Sequence, residues 1–173
     1  VMAAPLHDIG KIKVPDYILS KPAPLNEEEY TIIKNHPVES ERIIRRTLNN
    51  VEDNHFVNIA SEVSLYHHEK WDGTGYPKHL KGEEIPVSAR IMAIADVFDA
   101  LCSERPYKEA LSVEKAFQIL EESREKHFDT VMVDIMVALR PVLEGIYEGK
   151  NPITPSSPKA SVSAEIIKRL RAG

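Results

Sequence analysis

Apolar residues recur at helical spacing along most of the chain, and this pattern predicts a series of helices separated by polar or proline-rich turns. In chain order, the predicted helices are the end of one at Val1 to Leu6, then Asn26 to His36, Pro37 to Leu48, Asn54 to His68, Ser88 to Ser103, Ser112 to Leu120 and Asp129 to Glu148. The predicted N-caps are Asn26, Ser88, Ser112 and Asp129, and Glu29 stands where a capping box requires an acid. A loop rich in glycine runs from Trp71 to Pro86.

The predicted helix that begins at Ser88 is apolar at nearly every position, which is typical of a buried helix. Asp96 and Asp99 interrupt it one turn apart. A buried carboxylate without a partner costs several kcal/mol, so each aspartate needs a cation or a hydrogen-bonded partner. We expect Asp96 to bind a cation, whereas a structural ion pair or hydrogen bond is the stronger interpretation of Asp99.

Two adjacent histidines, His67 and His68, end the helix that precedes the glycine-rich loop. Imidazole is the commonest protein metal ligand, although two polar residues at a helix end can also simply face water. Successive residues of an undistorted helix project about 100° apart, so the two side chains would not easily converge on one ion. The sequence therefore predicts that each binds one of two neighbouring ions.

Other metal-ligand types occur in separate stretches of the chain. His7 and Asp8 are adjacent, which alone could mean a helix-end histidine with a capping aspartate, and His36 precedes Pro37 at a helix junction. The full set of candidate ligands is His7, Asp8, His36, His67, His68 and Asp96. Six ligands exceed the four of a structural zinc site and suffice for two ions. Because no cysteine is among them, iron, manganese or zinc is expected.

Composition is typical of a soluble globular protein, since 42% of the 173 residues are hydrophobic and 28% are charged. The net charge of −5 argues against DNA or an anionic membrane as a partner of the whole surface. Arg42, Arg45 and Arg46 are interpreted as a solvated helix face. The single cysteine, Cys102, excludes an internal disulfide and suits a cytoplasmic protein. The most apolar segment, Ile91 to Leu101, contains two acids, so we expect no membrane span.

Taken together, the motifs resemble those of one family. The resemblance rests on His7-Asp8-Ile9-Gly10-Lys11, His36-Pro37, His67-His68-Glu69, Gly75-Tyr76-Pro77, Ala95-Asp96-Val97-Phe98-Asp99-Ala100 and Arg105-Pro106-Tyr107-Lys108, in this order and spacing. This set is similar to the HD-GYP domain, a metal-dependent phosphodiesterase of the HD superfamily that linearises the bacterial messenger cyclic di-GMP. The resemblance implies an all-α HD-domain helical bundle over residues 1–148, with a loop named after its Gly-Tyr-Pro motif (the GYP loop). Residues 149–173 are expected to form a proline- and serine-rich linker with a basic C-terminal tail.

The resemblance also implies a role for each matching residue. The metal ligands would be His7, Asp8, His36, His67, His68 and Asp96, holding two divalent ions, or three, with iron or manganese favoured and zinc as the alternative. Lys11 and Asp8 would be the catalytic pair, with Lys11 stabilising charge on the phosphate. The substrate would be held by Gly75, Tyr76, Pro77, Arg105 and Lys108.

The implied function is hydrolysis of cyclic di-GMP to linear pGpG, GMP or both, in bacterial second-messenger signalling. Two ions would lower the pKa of water, and the hydroxide would attack phosphorus in line with the departing 3′ oxygen. One alternative is a catalytically weak signalling module that binds cyclic di-GMP or docks a diguanylate cyclase (GGDEF) domain through the GYP loop. Another is an HD hydrolase for a different nucleotide.

The chain differs from the family pattern in a few places. Ala23-Pro24 and Ser40 stand where the family often has glycine, and we expect small effects. The family domain normally begins with further helices that contribute a histidine. We expect this chain to lack them, to expose apolar surface on that side and to form a homodimer that covers it. An upstream sensory or receiver domain, as in a two-component response regulator, is expected in the parent protein.

Overall fold

The computed structural model describes residues 3–104 and 109–147. The α-helices within these ranges are α1 (Asp16–Leu19), α2 (Glu27–Ile33), α3 (His36–Thr47), α4 (Asn54–Tyr66), α5 (Val87–Cys102), α6 (Val113–Glu122), α7 (Thr130–Ala138) and α8 (Arg140–Tyr147). Short 3-10 helices span Ala4–Leu6, Ile9–Lys13 and Gly82–Glu84. The all-α prediction is confirmed for the described residues. None of their helices combines the length and apolar character that crossing a bilayer requires.

Side-chain caps determine where several helices begin. The Asn26 side chain accepts the backbone N–H of Glu29, and the Glu29 carboxylate accepts that of Asn26, which is the predicted capping box. Ser112 caps α6 and Asp129 caps α7, each by accepting a backbone N–H of the first turn. These three helix starts therefore follow from local sequence, as predicted.

Two other predicted boundaries were wrong. The N-cap of α5 is Pro86 and not Ser88, whose hydroxyl instead donates to the Glu62 carboxylate on α4 at 2.7 Å. The helix predicted over Asp129 to Glu148 is divided into α7 and α8. Pro141 lies at the start of α8, where its missing N–H interrupts the helical hydrogen bonds and its fixed φ is tolerated.

Two hydrophobic clusters hold the helices together. The larger includes Ile94, Phe98, Val113, Ala116, Phe117, Leu120, Phe128 and Val133, from α5, α6, α7 and the turn before α7. The smaller joins the N-terminal turn to α3 and α4 through Ala3, Ile44, Val57 and Ala60. Full burial of one large apolar side chain contributes about 1.5–3 kcal/mol to the free energy of unfolding. Because α5 packs on α4 as well as on α6 and α7, it links the two clusters and fixes the position of Asp96.

The helix α5 is less buried than its sequence predicts. Ile91 and Val87 are each 52% exposed, so the prediction of a helix buried on every face was wrong. Asp99 is exposed, and it accepts a hydrogen bond from the Tyr147 hydroxyl at 2.6 Å. The structural interpretation of Asp99 therefore agrees with its surroundings, and this carboxylate lies apart from the candidate ligands.

Gly10 holds the turn that carries His7 and Asp8 against α3. A Cβ at Gly10 would lie 2.1 Å from the His36 carbonyl oxygen, so no larger residue fits without a backbone shift. The Gly10 N–H donates to the buried Ser40 hydroxyl at 2.8 Å. Ser40 is thus accommodated in a useful contact, and the close approach brings Asp8 next to His36.

Candidate metal centre

The predicted ligands come from four parts of the fold and converge near the N-terminal turns. His7 and Asp8 connect the first two 3-10 helices, His36 is the first residue of α3, His67 and His68 follow the last residue of α4, and Asp96 lies in the middle of α5. Four of them, Asp8, His36, His67 and His68, each offer a ligand atom within 4.8 Å of the others. The other two join this group through His7, whose Nε2 lies 3.7 Å from Asp96 Oδ1.

Hydrogen bonds to backbone carbonyl groups orient three of the imidazoles. Nδ1 of His7 lies 2.6 Å from the Ala4 carbonyl oxygen, and Nδ1 of His36 lies 2.7 Å from that of Ile33. Nδ1 of His67 lies 3.0 Å from a carbonyl oxygen of α4. A carbonyl oxygen can only accept, so in each ring Nδ1 carries the proton and donates. Nε2 is then the nitrogen directed to the cluster, which is the usual arrangement around a protein-bound metal.

The two oxygens of the Asp8 carboxylate face different ligands. Oδ1 lies 3.1 Å from His36 Nε2 and 3.8 Å from His67 Nε2. Oδ2 lies 3.3 Å from His7 Nε2 and 2.5 Å from Lys11 Nζ. The carboxylate therefore divides the cluster into a His36 and His67 side and a His7 side. A carboxylate placed in this way is suited to bridge two neighbouring ions.

Buried polar atoms without partners mark the same place. Nε2 of His7, His36 and His67 and Oδ1 of Asp8 are buried, and none of them has a hydrogen bond within the described residues. Buried polar groups are ordinarily hydrogen-bonded, and each buried group without a partner lowers the stability of the fold by about 1–3 kcal/mol. Ring nitrogens and a carboxylate oxygen are the ligands that zinc, iron and manganese accept. The residues present therefore fit a divalent metal.

The histidine pair is not part of a helix. The helix α4 ends at Tyr66 and His67 is its C-cap, so the 100° spacing of helical residues does not apply to the pair. The ring centroids of His67 and His68 are 4.0 Å apart, and those of His36 and His68 are 5.0 Å apart. The predicted helix end was wrong, and the arrangement permits a shared ion as well as separate ions. The assignment of each histidine to its own ion stays a prediction.

Two carboxylates favour a positive charge at His7. Burial alone lowers the pKa of His7, but the neighbouring Asp8 and Asp96 outweigh burial and raise the pKa to about 10. Burial likewise opposes the charged form of Asp8, yet His36, His7 and Lys11 hold the pKa of this carboxyl well below its usual range. The same surroundings would stabilise a metal cation, which would replace the proton on His7.

His67, His68 and Asp96 are in the form that binds a metal. Burial, followed by repulsion from neighbouring histidines, lowers the pKa of His67 to about 4 and that of His68 to about 3. Both rings are therefore neutral at pH 7, as a metal ligand must be. The neighbouring His7 lowers the pKa of Asp96, so this carboxylate is ionised.

The GYP loop lies directly on the centre. The Tyr76 ring stacks on the His68 ring, with centroids 4.8 Å apart, and the Tyr76 N–H donates to the His68 carbonyl at 3.2 Å. Gly75 permits this approach, because a Cβ there would lie 2.3 Å from the backbone nitrogen of Lys70. Burial raises the pKa of Tyr76, so its phenol stays protonated. The structure thus brings the predicted loop and the predicted ligands together.

Glu69 holds this loop in place, which sequence reasoning missed. Its carboxylate accepts the N–H of Lys78 at 2.6 Å and that of Leu80 at 3.1 Å, and the residue is only 2% exposed. Such charge-assisted bonds are about twice as strong as neutral ones. The available signal was an acid directly after two histidines and before a glycine-rich loop. That pattern does not show which backbone N–H groups donate to the carboxylate.

Arg90 connects the same loop to α7, and sequence reasoning missed it as well. Its guanidinium donates to Asp129 at 2.9 Å and to the Ile85 carbonyl at 2.8 Å. It also lies 5.5 Å from the centroid of the Trp71 ring, within the range of a cation–π interaction. The Trp71 backbone N–H also donates to the His127 carbonyl at 3.1 Å, which attaches the start of the loop to the turn before α7.

Lys11, Arg105 and Lys108 are the three basic residues among the predicted site residues. The Lys11 ammonium lies 2.5 Å from Asp8 Oδ2, and the side chain is 38% exposed, so it borders both the centre and solvent. Arg105 and Lys108, predicted to hold the substrate phosphates, lie outside the described residues. Their roles stay predictions.

Comparisons with known proteins agree with this fold and centre. A family model described as HD domain matches residues 1–132. A cyclic di-GMP phosphodiesterase of Vibrio cholerae is 47% identical over 137 residues, which are 79% of this chain and 28% of that protein. A cyclic di-GMP phosphodiesterase response regulator of Xanthomonas campestris is 48% identical over 145 residues, 84% of this chain and 37% of that protein. A 3′3′-cGAMP-specific phosphodiesterase of Vibrio cholerae is 41% identical over 135 residues, 78% of this chain and 25% of that protein.

These relatives are longer than the region they share with this chain, which spans 25% to 37% of their length. The residues matched by the family model include all six candidate ligands and the GYP loop. On this evidence, the chain belongs to the HD domain family and is a domain of the HD-GYP type.

Proposed function

We propose that this domain hydrolyses a phosphodiester bond of cyclic di-GMP, giving linear pGpG or, after a second cleavage, GMP. The observation that carries the proposal is the group of buried, unpartnered atoms from His7, Asp8, His36 and His67. Without a bound cation or an additional proton on an imidazole, these ring nitrogens and the carboxylate oxygen would face one another as acceptors and destabilise the fold. The names of the relatives, which include two cyclic di-GMP phosphodiesterases, support the choice of substrate.

We propose two divalent ions, or three, at this centre. The placement of His36 and His67 on one side of Asp8 and of His7 on the other supports at least two. Because the ligands are imidazoles and carboxylates without a thiolate, iron or manganese is favoured, with zinc as the alternative. Divalent ions bound there would lower the pKa of water and stabilise negative charge on the phosphate.

Lys11 and Tyr76 would act on the substrate directly. The Lys11 ammonium, partly exposed beside Asp8, is suited to stabilise charge that develops on a phosphate oxygen in the transition state. Tyr76 is half-buried against His68, so it would form one wall of the substrate site and could stack on a base. Arg105 and Lys108 would hold the phosphates.

A second candidate substrate is 3′3′-cGAMP, because a relative at 41% identity is named as specific for it. The two cyclic dinucleotides share the same phosphodiester ring and differ in one base. The metal centre would hydrolyse the phosphodiester bonds of both, and discrimination between the two dinucleotides would depend on residues that contact the differing base. Turnover of both dinucleotides at equal concentration decides between them.

Further properties, which concern signalling partners, assembly and location, stay predictions. The relative that is named a response regulator supports a place in two-component signalling and an upstream receiver domain. Docking of a diguanylate cyclase domain on the GYP loop, a homodimer and a cytoplasmic location are predicted from the resemblance and composition alone.

Anaerobic purification with metal quantification, followed by cyclic di-GMP turnover on the same sample, tests the proposed function. His67→Ala and Asp96→Ala should each lose bound metal and turnover together. The matched control is His55→Ala, because His55 is an exposed histidine at the start of α4 and away from the cluster. It should retain both properties. Full turnover in either ligand variant would contradict the assignment.

A further inference from the structure

A cleft outside the metal centre is lined mainly by polar and charged residues. It lies between the second 3-10 helix and α3, and its lining residues are Lys13, Asn35, Glu39, Arg42, Ile43 and Arg46. Its volume is about 460 Å³. Pockets of roughly 300–1,000 Å³ are typical of small-molecule sites, so the cleft is large enough for a nucleotide-sized ligand.

Two of the three cations of this cleft have no carboxylate partner within the described residues, and the third has only a long contact to one. Elsewhere in the described residues, Arg45, Arg90, Arg124 and Arg140 each donate a hydrogen bond to a carboxylate. Arg42 Nη1 forms an ion pair with Glu39 Oε1 at 3.6 Å, which is too long for a hydrogen bond. Neither Arg46 nor Lys13 forms a salt bridge with any described residue. Three basic residues thus line one cleft, and the donors of two of them, Arg46 and Lys13, have no carboxylate partner within the described residues.

The charge of the cleft is opposite to that of the whole chain. Lys13, Arg42 and Arg46 are cationic and Glu39 is the one acid among the lining residues, whereas the chain carries a net charge of −5. A concave surface with excess charge of one sign concentrates ions of the other sign. Guanidinium groups match the geometry of a phosphate, so the most fitting anion is a phosphate group.

The other lining groups suit the remainder of a nucleotide. Ile43 supplies apolar surface, the Asn35 amide can both donate and accept, and the Glu39 carboxylate can accept from a base or a ribose hydroxyl. We propose that this cleft is a second ligand site, which binds a nucleoside monophosphate with its phosphate on Arg42, Arg46 and Lys13.

This site is separate from the metal centre although it lies near it. A smaller cavity of about 180 Å³ shares Lys13, Asn35 and Glu39 with the cleft and extends to His36. The His36 side chain is only 2% exposed, so a ligand in the cleft would not reach its metal-binding nitrogen. Binding at the cleft needs neither metal nor hydrolysis, and the inference does not rest on the proposed function.

Isothermal titration calorimetry of the EDTA-treated chain tests the proposal, with GMP, guanosine and inorganic phosphate as probes. GMP should bind saturably, with the same affinity in wild type and in His67→Ala, whose metal centre is disabled. Arg42→Ala and Arg46→Ala should each weaken GMP binding about tenfold, because each removes a charge-assisted contact to the phosphate. Guanosine should bind at least about tenfold more weakly than GMP for the same reason.

Arg45→Ala is the matched control, because Arg45 lies on the same helix but pairs with Glu41 and does not line the cleft. It should keep the affinity for GMP within about twofold. An equal loss in Arg45→Ala would indicate binding to overall charge and would overturn the proposal. No saturable GMP binding, or phosphate binding as tightly as GMP, would overturn it as well. Circular dichroism of each variant establishes that the helices are intact.

Discussion

The ring of Tyr76 stacks on the ring of His68, with centroids 4.8 Å apart and planes inclined by 25°. This contact joins the GYP loop to the candidate metal ligands, so the proposed substrate wall and the candidate metal centre form one structural unit. The loop is held by a buried carboxylate and by close backbone contacts at Gly75. Substitutions at these contacts should displace Tyr76 while the metal ligands remain in place.

Glu69→Gln should loosen the loop without removing the metal. Glutamine keeps one acceptor oxygen, but its NH2 group can only donate, so one of the bonds from the Lys78 and Leu80 N–H groups is lost. A hydrogen bond to a charged group contributes about 1.5–3 kcal/mol, and the unfolding free energy in urea should fall by that amount. Turnover should fall mainly through a higher KM, with unchanged metal content.

Glu84→Gln is the control for that substitution. Glu84 belongs to the same loop and accepts the Lys81 N–H at 2.9 Å, but its carboxylate is exposed to water. Its substitution should change the unfolding free energy by less than about 0.5 kcal/mol. If Glu69→Gln lowered the unfolding free energy as little as Glu84→Gln, the Glu69 carboxylate would not hold the loop.

Gly75→Ala should reduce turnover more than tenfold, roughly the effect of displacing a substrate-binding wall by 1 Å. The added Cβ would lie 2.3 Å from the Lys70 nitrogen and 2.4 Å from Glu69 Cα, so the backbone must separate. Overpacking of this kind costs about 1–3 kcal/mol of stability. Steady-state kinetics and urea unfolding measure the two effects.

Gly82→Ala provides the comparison for Gly75→Ala. Gly82 has a φ of +58°, and a Cβ there would meet only Trp71 Cζ2 at 4.0 Å. Alanine in this left-handed conformation costs about 1–2 kcal/mol, similar in size to the overpacking cost. Turnover should nevertheless be retained, because nothing is pushed away from the centre. Equal losses of turnover in the two variants would show that general loop strain is responsible.

Ser40→Ala should destabilise the fold by about 1–3 kcal/mol, because it leaves the buried Gly10 N–H without an acceptor. Ser61→Ala is the matched substitution. Ser61 is also buried, but its hydroxyl has no hydrogen-bond partner within the described residues, so its removal should be neutral or stabilising. Urea unfolding of both variants measures the difference. Equal effects would contradict the role of the Ser40 hydroxyl.

His127 should make the fold sensitive to acid. Burial, and then the nearby Lys70, lowers its pKa to about 4, below the unfolded value of about 6.5. As the pH falls through 6.5 the unfolded state takes up the proton first, so stability is lost between pH 6.5 and 4 and none is lost above this range. The side chain is partly exposed, which limits the effect to about 1 kcal/mol.

The His127 contribution is measured by comparing wild type with His127→Gln, which cannot titrate. Urea unfolding in EDTA at pH 7 and at pH 4.5 gives the loss of stability for each protein. Wild type should lose about 1 kcal/mol more than the variant. Parallel losses in the two proteins would show that His127 takes up its proton equally well in the folded state.

Local signals in the sequence were sufficient for much of the fold. The capping box of Asn26 and Glu29, and the caps at Ser112 and Asp129, were predicted because a cap involves only residues within one turn. The candidate ligands and the GYP loop were identified because they are residue types in a recurring order. Gly75 illustrates the limit, because its place in a motif does not show which backbone atoms lie beside it.

The amino-acid sequence by itself determined an all-α chain, the chemistry of its candidate ligands and the family to which they point. Only the tertiary structure decided that α4 ends before His67 and that the two oxygens of Asp8 face different histidines. The tertiary structure further decided that the Glu69 carboxylate accepts hydrogen bonds from the loop backbone. It also decided that Ile91 is exposed although it lies in an apolar stretch. The physical reason is that helix starts depend on neighbours within one turn, whereas burial and ligand geometry depend on groups that packing brings together from distant parts of the chain.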